Sequence, residues 1–144
     1  MPEKETLERA KQDKREGKAP STQAGEFVRE EIEHIREGKH GARSTKQAIA
    51  IGLSKARRAG VELPPSEGSS EETKEQAKRD LRKAKSGKKV SAKRSRATRK
   101  ALKKEGRSAA SKEALSTQAR KAARKRSAAS RSRSAKKAAK TRKK

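Results

Sequence analysis

"GKHGARSTKQAIAIGLSKARRAGVELPP", residues 38–65, carries the clearest structural signals in this chain of 144 residues. Ser44-Thr45-Lys46-Gln47 reads as a capping box. The serine oxygen meets the amide three residues on, and the glutamine side chain reaches back. A helix follows through "AIAIGLSKARRAG", with Ile49, Leu53 and Ala56 sharing a face. Gly60 stands where a left-handed C-terminal cap is wanted, and Val61 beyond it can supply the apolar contact of such an end. Pro64-Pro65 then forbids continuation.

Upstream, a second helix is predicted over residues 21–37, capped by Ser21 or Thr22. At about 100° per residue, Ala24, Phe27, Val28, Ile32 and Ile35 form one stripe. Glu26, Glu30, Glu33 and Glu37 lie opposite and read as the solvent face. Gly38 stops this helix, and residues 38–43 join it to the next as a helical hairpin. A further segment, residues 3–16, is charged all round, with Leu7 and Ala10 as its apolar residues. So short a hairpin, with no cysteine to staple it, needs support. It either recruits the first segment or pairs with a second copy as a homodimer.

Composition bounds the rest. Only 27% of residues are hydrophobic, with one Phe, one Met and no Trp, Tyr or Cys. Chains of low hydrophobicity and high net charge bury too little apolar surface to offset ordering entropy. The net charge is +26 and the isoelectric point is near 11.1. Its distribution is uneven: 14 Lys/Arg face 11 Asp/Glu in residues 1–65, and six face five in residues 66–87. In residues 88–144, 24 face two, a net of +22. The expected fold class is mainly α: a small N-terminal helical hairpin of two to three helices, then a long, largely disordered or conditionally helical basic tail. The expected divisions are a charged N-terminal helix (1–20), the hairpin module (21–65), a linker with a short charged helix (66–87) and the Lys/Arg/Ala/Ser-rich tail (88–144).

The tail has no aromatic residue on which a base could stack, which disfavours single-strand readers and base-stacking RNA folds. Contact with phosphate remains, sequence-independent and salt-sensitive. The candidate phosphate contacts are Lys88, Lys89, Lys93, Arg94, Arg96, Arg99, Lys100, Lys103, Lys104, Arg120, Lys121, Arg124, Lys125, Arg126, Lys136, Lys137, Lys140, Arg142, Lys143 and Lys144. Arg57 and Arg58 on the third helix are added as weaker candidates. "SKEALSTQARKAARKRSAA", residues 111–129, has a cap and strong helix formers and could wind up on a polyanion.

"FVREEIEHIREGKHG" at residues 27–41, the stretch at residues 38–65 and the looser "RATRKALKKEGRSAASKEALSTQARKAARKR" at residues 96–126 resemble an uncharacterised family of short basic bacterial proteins. The resemblance implies DNA binding at most and brings no catalytic residue set. The Ala/Lys ending also resembles the tails of bacterial linker-histone-like proteins, although those are proline-rich and this tail has no proline after Pro65.

Other chemistries lack support. No apolar run approaches the ~18–20 residues of a membrane span, and the first residues form no secretory signal. Without cysteine there is no disulfide, thiol catalysis or Cys-based zinc site. No Gly-rich phosphate loop, nucleophile elbow or zinc-protease motif occurs. No enzyme activity, cofactor, small-molecule substrate or membrane partner is expected. His34 lies one turn from Glu30 and Glu37, with His40 close by, a spacing that can ligate metal. With two histidines, no cysteine and glutamates assigned to solvent, no metal is expected either. The expected function is non-sequence-specific DNA binding of nucleoid-associated or linker-histone-like type, in the cytoplasm. The alternatives are an RNA- or ribosome-associated basic protein and an adaptor using the amphipathic hairpin to hold a partner protein.

Overall fold

The structure, a computed structural model, describes residues 2–65, 68–87, 89 and 91–143. Among these are seven α-helices: α1 Lys4–Arg15, α2 Pro20–Arg36, α3 Thr45–Arg58, α4 Glu71–Ser86, α5 Ala92–Lys103, α6 Lys112–Lys125 and α7 Ala128–Arg142. A 3-10 turn, Ser108–Ala110, separates α5 from α6. Five of the helices begin on a serine. Ser44, Ser70, Ser91, Ser111 and Ser127 each accept a hydrogen bond from the amide three residues on. That bond satisfies an otherwise orphaned donor of the first turn.

At α3 the capping box forms. Gln47 N donates to Ser44 Oγ at 3.1 Å, and Arg43 N donates to Gln47 Oε1 at 2.6 Å. Its end is also as read: Gly60 takes φ +105°, and Val61 N donates to Ala56 O at 3.0 Å. α2 differs in detail. It opens with Pro20 in its first turn behind Ala19, with no side-chain cap from Ser21 or Thr22.

Two small cores hold the helices. One gathers Ala10, Ala24, Phe27, Ala56 and Val61, flanked by Leu7, Leu53 and Leu63. The other gathers Ile32, Ile35, Ala42, Ala48, Ala109 and Ala110, flanked by Val28 and Leu115. Eight of the twelve buried apolar residues described are alanine. Ile49 and Leu53 stay half-buried; the buried stripe of α3 is Ala48, Gly52 and Ala56. Small residues let α2 come close, and a Cβ built at Gly52 would lie 2.7 Å from Val28 Cα.

The expected hairpin with a disordered or conditionally helical tail is overturned. Residues 91–143 hold α5, α6 and α7, and residues 102–115 belong to the folded unit. Gly41 N donates to Leu102 O at 2.9 Å, and Ala42 N to Gly106 O at 3.1 Å. Thr45 Oγ1 donates to Ala109 O at 2.7 Å, and Arg36 Nε to Ala110 O at 2.9 Å. A Cβ at Gly41 would run into the backbone of Glu105 and Gly106, so only glycine fits there. The expectation failed because alanine was counted as spacer, whereas in tight packing it forms the core.

The stretch read as linker and short helix contains α4, whose Ala77 and Asp80 are buried, and which packs on α3. The apolar face that made a second copy attractive is covered within the chain, by α1 on one side and residues 109–115 on the other.

Gly52→Ala is expected to lower stability by about 1–3 kcal/mol through overpacking against Val28. Gly25→Ala, inside α2 with nothing within 4 Å of its new Cβ, is expected to raise it by about 0.5–1 kcal/mol. Thermal denaturation followed by circular dichroism measures both. A chain ended at residue 101 uncovers Ile32, Ile35 and Ala48 and loses its cooperative transition. One ended at residue 126 keeps it, since α7 contributes no buried residue.

Candidate nucleic-acid interface

α5 is exposed along almost its whole length. Wound at about 100° per residue, Lys93, Arg96, Arg99, Lys100 and Lys103 share one broad side, and Arg94 lies on the flank between them and Leu102. Leu102 takes the other; it is half-buried, and its carbonyl accepts from Gly41. In α6 the division is similar: Leu115 packs against the core, and Arg120, Lys121, Arg124 and Lys125 are exposed. α7 buries nothing and carries Lys136, Lys137, Lys140 and Arg142 exposed to solvent. Lys89, Lys104 and Lys143 are exposed as well. Lys88 and Lys144 lie outside the described residues.

Arg126, between α6 and α7, is partly committed. Its guanidinium donates to Ser130 O at 3.1 Å and to Ser134 Oγ, bracing the start of α7. Arg107, Lys112, Arg131 and Arg133 are exposed too and carry the same basic signal, though they are not among the candidates above. Arg107 and Lys112 line a shallow recess with Arg36, Ala110 and Ser111 at the start of α6.

The two arginines of α3 are placed otherwise. Arg57 is only 7% exposed and spends its guanidinium on Leu63 O at 2.8 Å and Pro64 O at 3.5 Å. Burial pushes its guanidinium down, against the attraction of Asp80. It anchors the chain after α3 and is withdrawn from the candidate interface. Arg58 is half-buried, with Nε donating to Ser54 O at 3.3 Å and lying 3.9 Å from Asp80 Oδ1.

Charge is arranged differently in the two halves. Every Lys or Arg that forms an ion pair, among the described residues, precedes residue 80. Hydrogen bonds from Lys18 to Asp13 and Glu16 push its ammonium up, and Glu26 does the same for Arg9.

The carboxylates also depart from expectation. Glu30, assigned above to the solvent face, is 2% exposed, and Glu31 is fully buried. Lys55 Nζ pairs with Glu31 Oε1, and Glu3 N donates to Glu30 Oε1 at 2.6 Å. α1 and the loop after α2 cover them, elements whose approach helical periodicity in α2 cannot foresee.

Residues 5–67 match the profile of a family of unknown function (DUF6496). The match stops before α4 and excludes residues 102–115, which complete the second core. Comparisons with curated proteins and with solved structures gave no match. The likeness of the ending to linker-histone-like tails gains no support from them.

Lys55→Met strands the buried Glu31 carboxylate. The expected loss is about 3 kcal/mol, the low end for a broken buried pair, because the Lys55 side chain keeps 23% of its surface. Urea unfolding checks it, and the double change with Glu31→Gln is expected to cost less than the two single changes together.

Proposed function

We propose that this chain binds duplex DNA without sequence specificity, as a nucleoid-associated type of protein, gripping phosphates through α5, α6 and α7. One observation carries the proposal: the cations of residues 89–143 are exposed and unpaired among the described residues, while ion pairing is confined to the other half. Residues 88–144 hold a net charge of +22, enough to draw a polyanion and displace its counterions. The single aromatic residue, Phe27, is 1% exposed and offers no platform for an unpaired base. Helical order supports the reading further, since cations held at fixed spacing lose less freedom on binding than those of a flexible arm. The proposal is binding without a catalytic step.

A salt titration of the full chain on duplex DNA tests it. Each engaged phosphate contributes roughly −0.9 to the slope of log K against log salt. Replacing Lys136, Lys137, Lys140 and Arg142 by glutamine alters no buried residue and is expected to flatten the slope by roughly 3–4. An unchanged slope, or weak binding of the full chain at low salt, refutes the assignment. Tighter binding of structured RNA at matched salt moves it to the RNA-associated alternative.

A further inference from the structure

His34 and His40 are the only two histidines of the chain, and both come to the buried carboxylates of α2. Their rings meet edge to face, with centroids 6.2 Å apart. One donor atom from each of Glu31, His34 and His40 lies within 4.8 Å of the others. Hydrogen bonding at the far side of each ring sets its tautomer. His40 Nδ1 lies 2.9 Å from Gly41 O, which can only accept, so Nδ1 donates and the neutral ring keeps its lone pair on Nε2. That lone pair stands 3.1 Å from Glu31 Oε2, a second acceptor. Glu31 Oε2 is buried and has no hydrogen-bond partner, so the approach is close but not a hydrogen bond. Two acceptors this close are reconciled either by a proton on Nε2 or by a metal ion.

His34 follows the same logic. Its Nε2 lies 3.1 Å from Glu3 Oε1 and 3.9 Å from Glu30 Oε1, so the carboxylates hold a proton there and leave Nδ1 as the lone-pair nitrogen. A ligating histidine commonly donates its other nitrogen to a carboxylate or a backbone carbonyl. Here one histidine has each kind of partner. Lys55, on Glu31 Oε1, orients that carboxylate and leaves Oε2 as the ligand atom. Lys39, whose Nζ is 3.5 Å from Glu3 Oε1, is the other cation at the cluster. Lys39 is shared with Glu37 at 3.2 Å, so the two lysines face Glu3, Glu30, Glu31 and Glu37 and the cluster keeps a net negative charge.

We propose that Glu31, His34 and His40 bind a divalent transition-metal ion of the zinc type, with Glu3 and the Gly41 carbonyl as outer supports. Two imidazoles and one carboxylate are a donor set for such ions rather than for magnesium or calcium. The donors draw together from their present spacing to reach metal bonds of about 2.0–2.2 Å. The ion joins α2 to residues 38–43, the loop that holds residues 102–106 in place. The site is independent of the DNA-binding proposal.

Zinc titration of the full chain, by calorimetry and by thermal denaturation, tests it. With no cysteine and two histidines in the chain, imidazole-dependent binding has nowhere else to occur. One ion per chain and a raised melting temperature are expected, both lost in the double variant His34→Ala/His40→Ala. Glu3→Gln is expected to weaken affinity about 10–100-fold. Nitrogen NMR of the unmutated chain guards against a variant that fails to fold. Shifts of both rings, complete at one equivalent of zinc, support the site. Rings unmoved by zinc, a His40 proton serving in its place, or binding that survives loss of both histidines overturns it.

Discussion

The fold depends on one backbone contact, the docking of residues 41–42 on residues 102–106. Two amides in the loop after α2 find their carbonyl partners some sixty residues ahead rather than in water. Buried amides must be paired, so the two segments stay together or both lose their partners. Gly41 permits the approach because a side chain there would occupy the backbone of Glu105 and Gly106. Through this contact Ala109 and Ala110 reach Ile32 and Ile35, and the basic half of the chain acquires a fixed attachment to the near-neutral half.

An alanine core suits such a chain. Alanine loses no side-chain rotamer freedom on burial and favours helix. It also lets helices approach closely, as the Ala48, Gly52 and Ala56 stripe does against α2. The apolar area each residue buries is small, so stability rests on many modest contributions: serine caps, close packing and side-chain bonds such as Thr45 to Ala109. Buried carboxylates fit the same frame. In a chain of net charge +26, a negative charge inside is favoured by the field of the whole molecule. Lys55 then supplies a local partner for Glu31.

Local signals were legible in the sequence. The start of α3 at Ser44, its end at Gly60 and the apolar stripe of α2 all depend on residues within a few turns of one another. The serine signal at Ser111 was read as the cap of a conditional helix, whereas at Ser91 and Ser127 the surrounding charge masked it. The candidate phosphate contacts were likewise visible as runs of Lys and Arg, and nearly all are exposed. Arg57 was misplaced because its exposure depends on where residues 63 and 64 turn back over α3.

The sequence by itself determined the charge asymmetry, the helix-forming character and the absence of aromatic platforms, since each is a property of composition or of near neighbours. Only the tertiary structure decided that Ala109 and Ala110 are core and that Glu30 and Glu31 are buried. Those outcomes rest on contacts between segments far apart in the chain. No periodicity within one helix encodes which distant backbone will cover it.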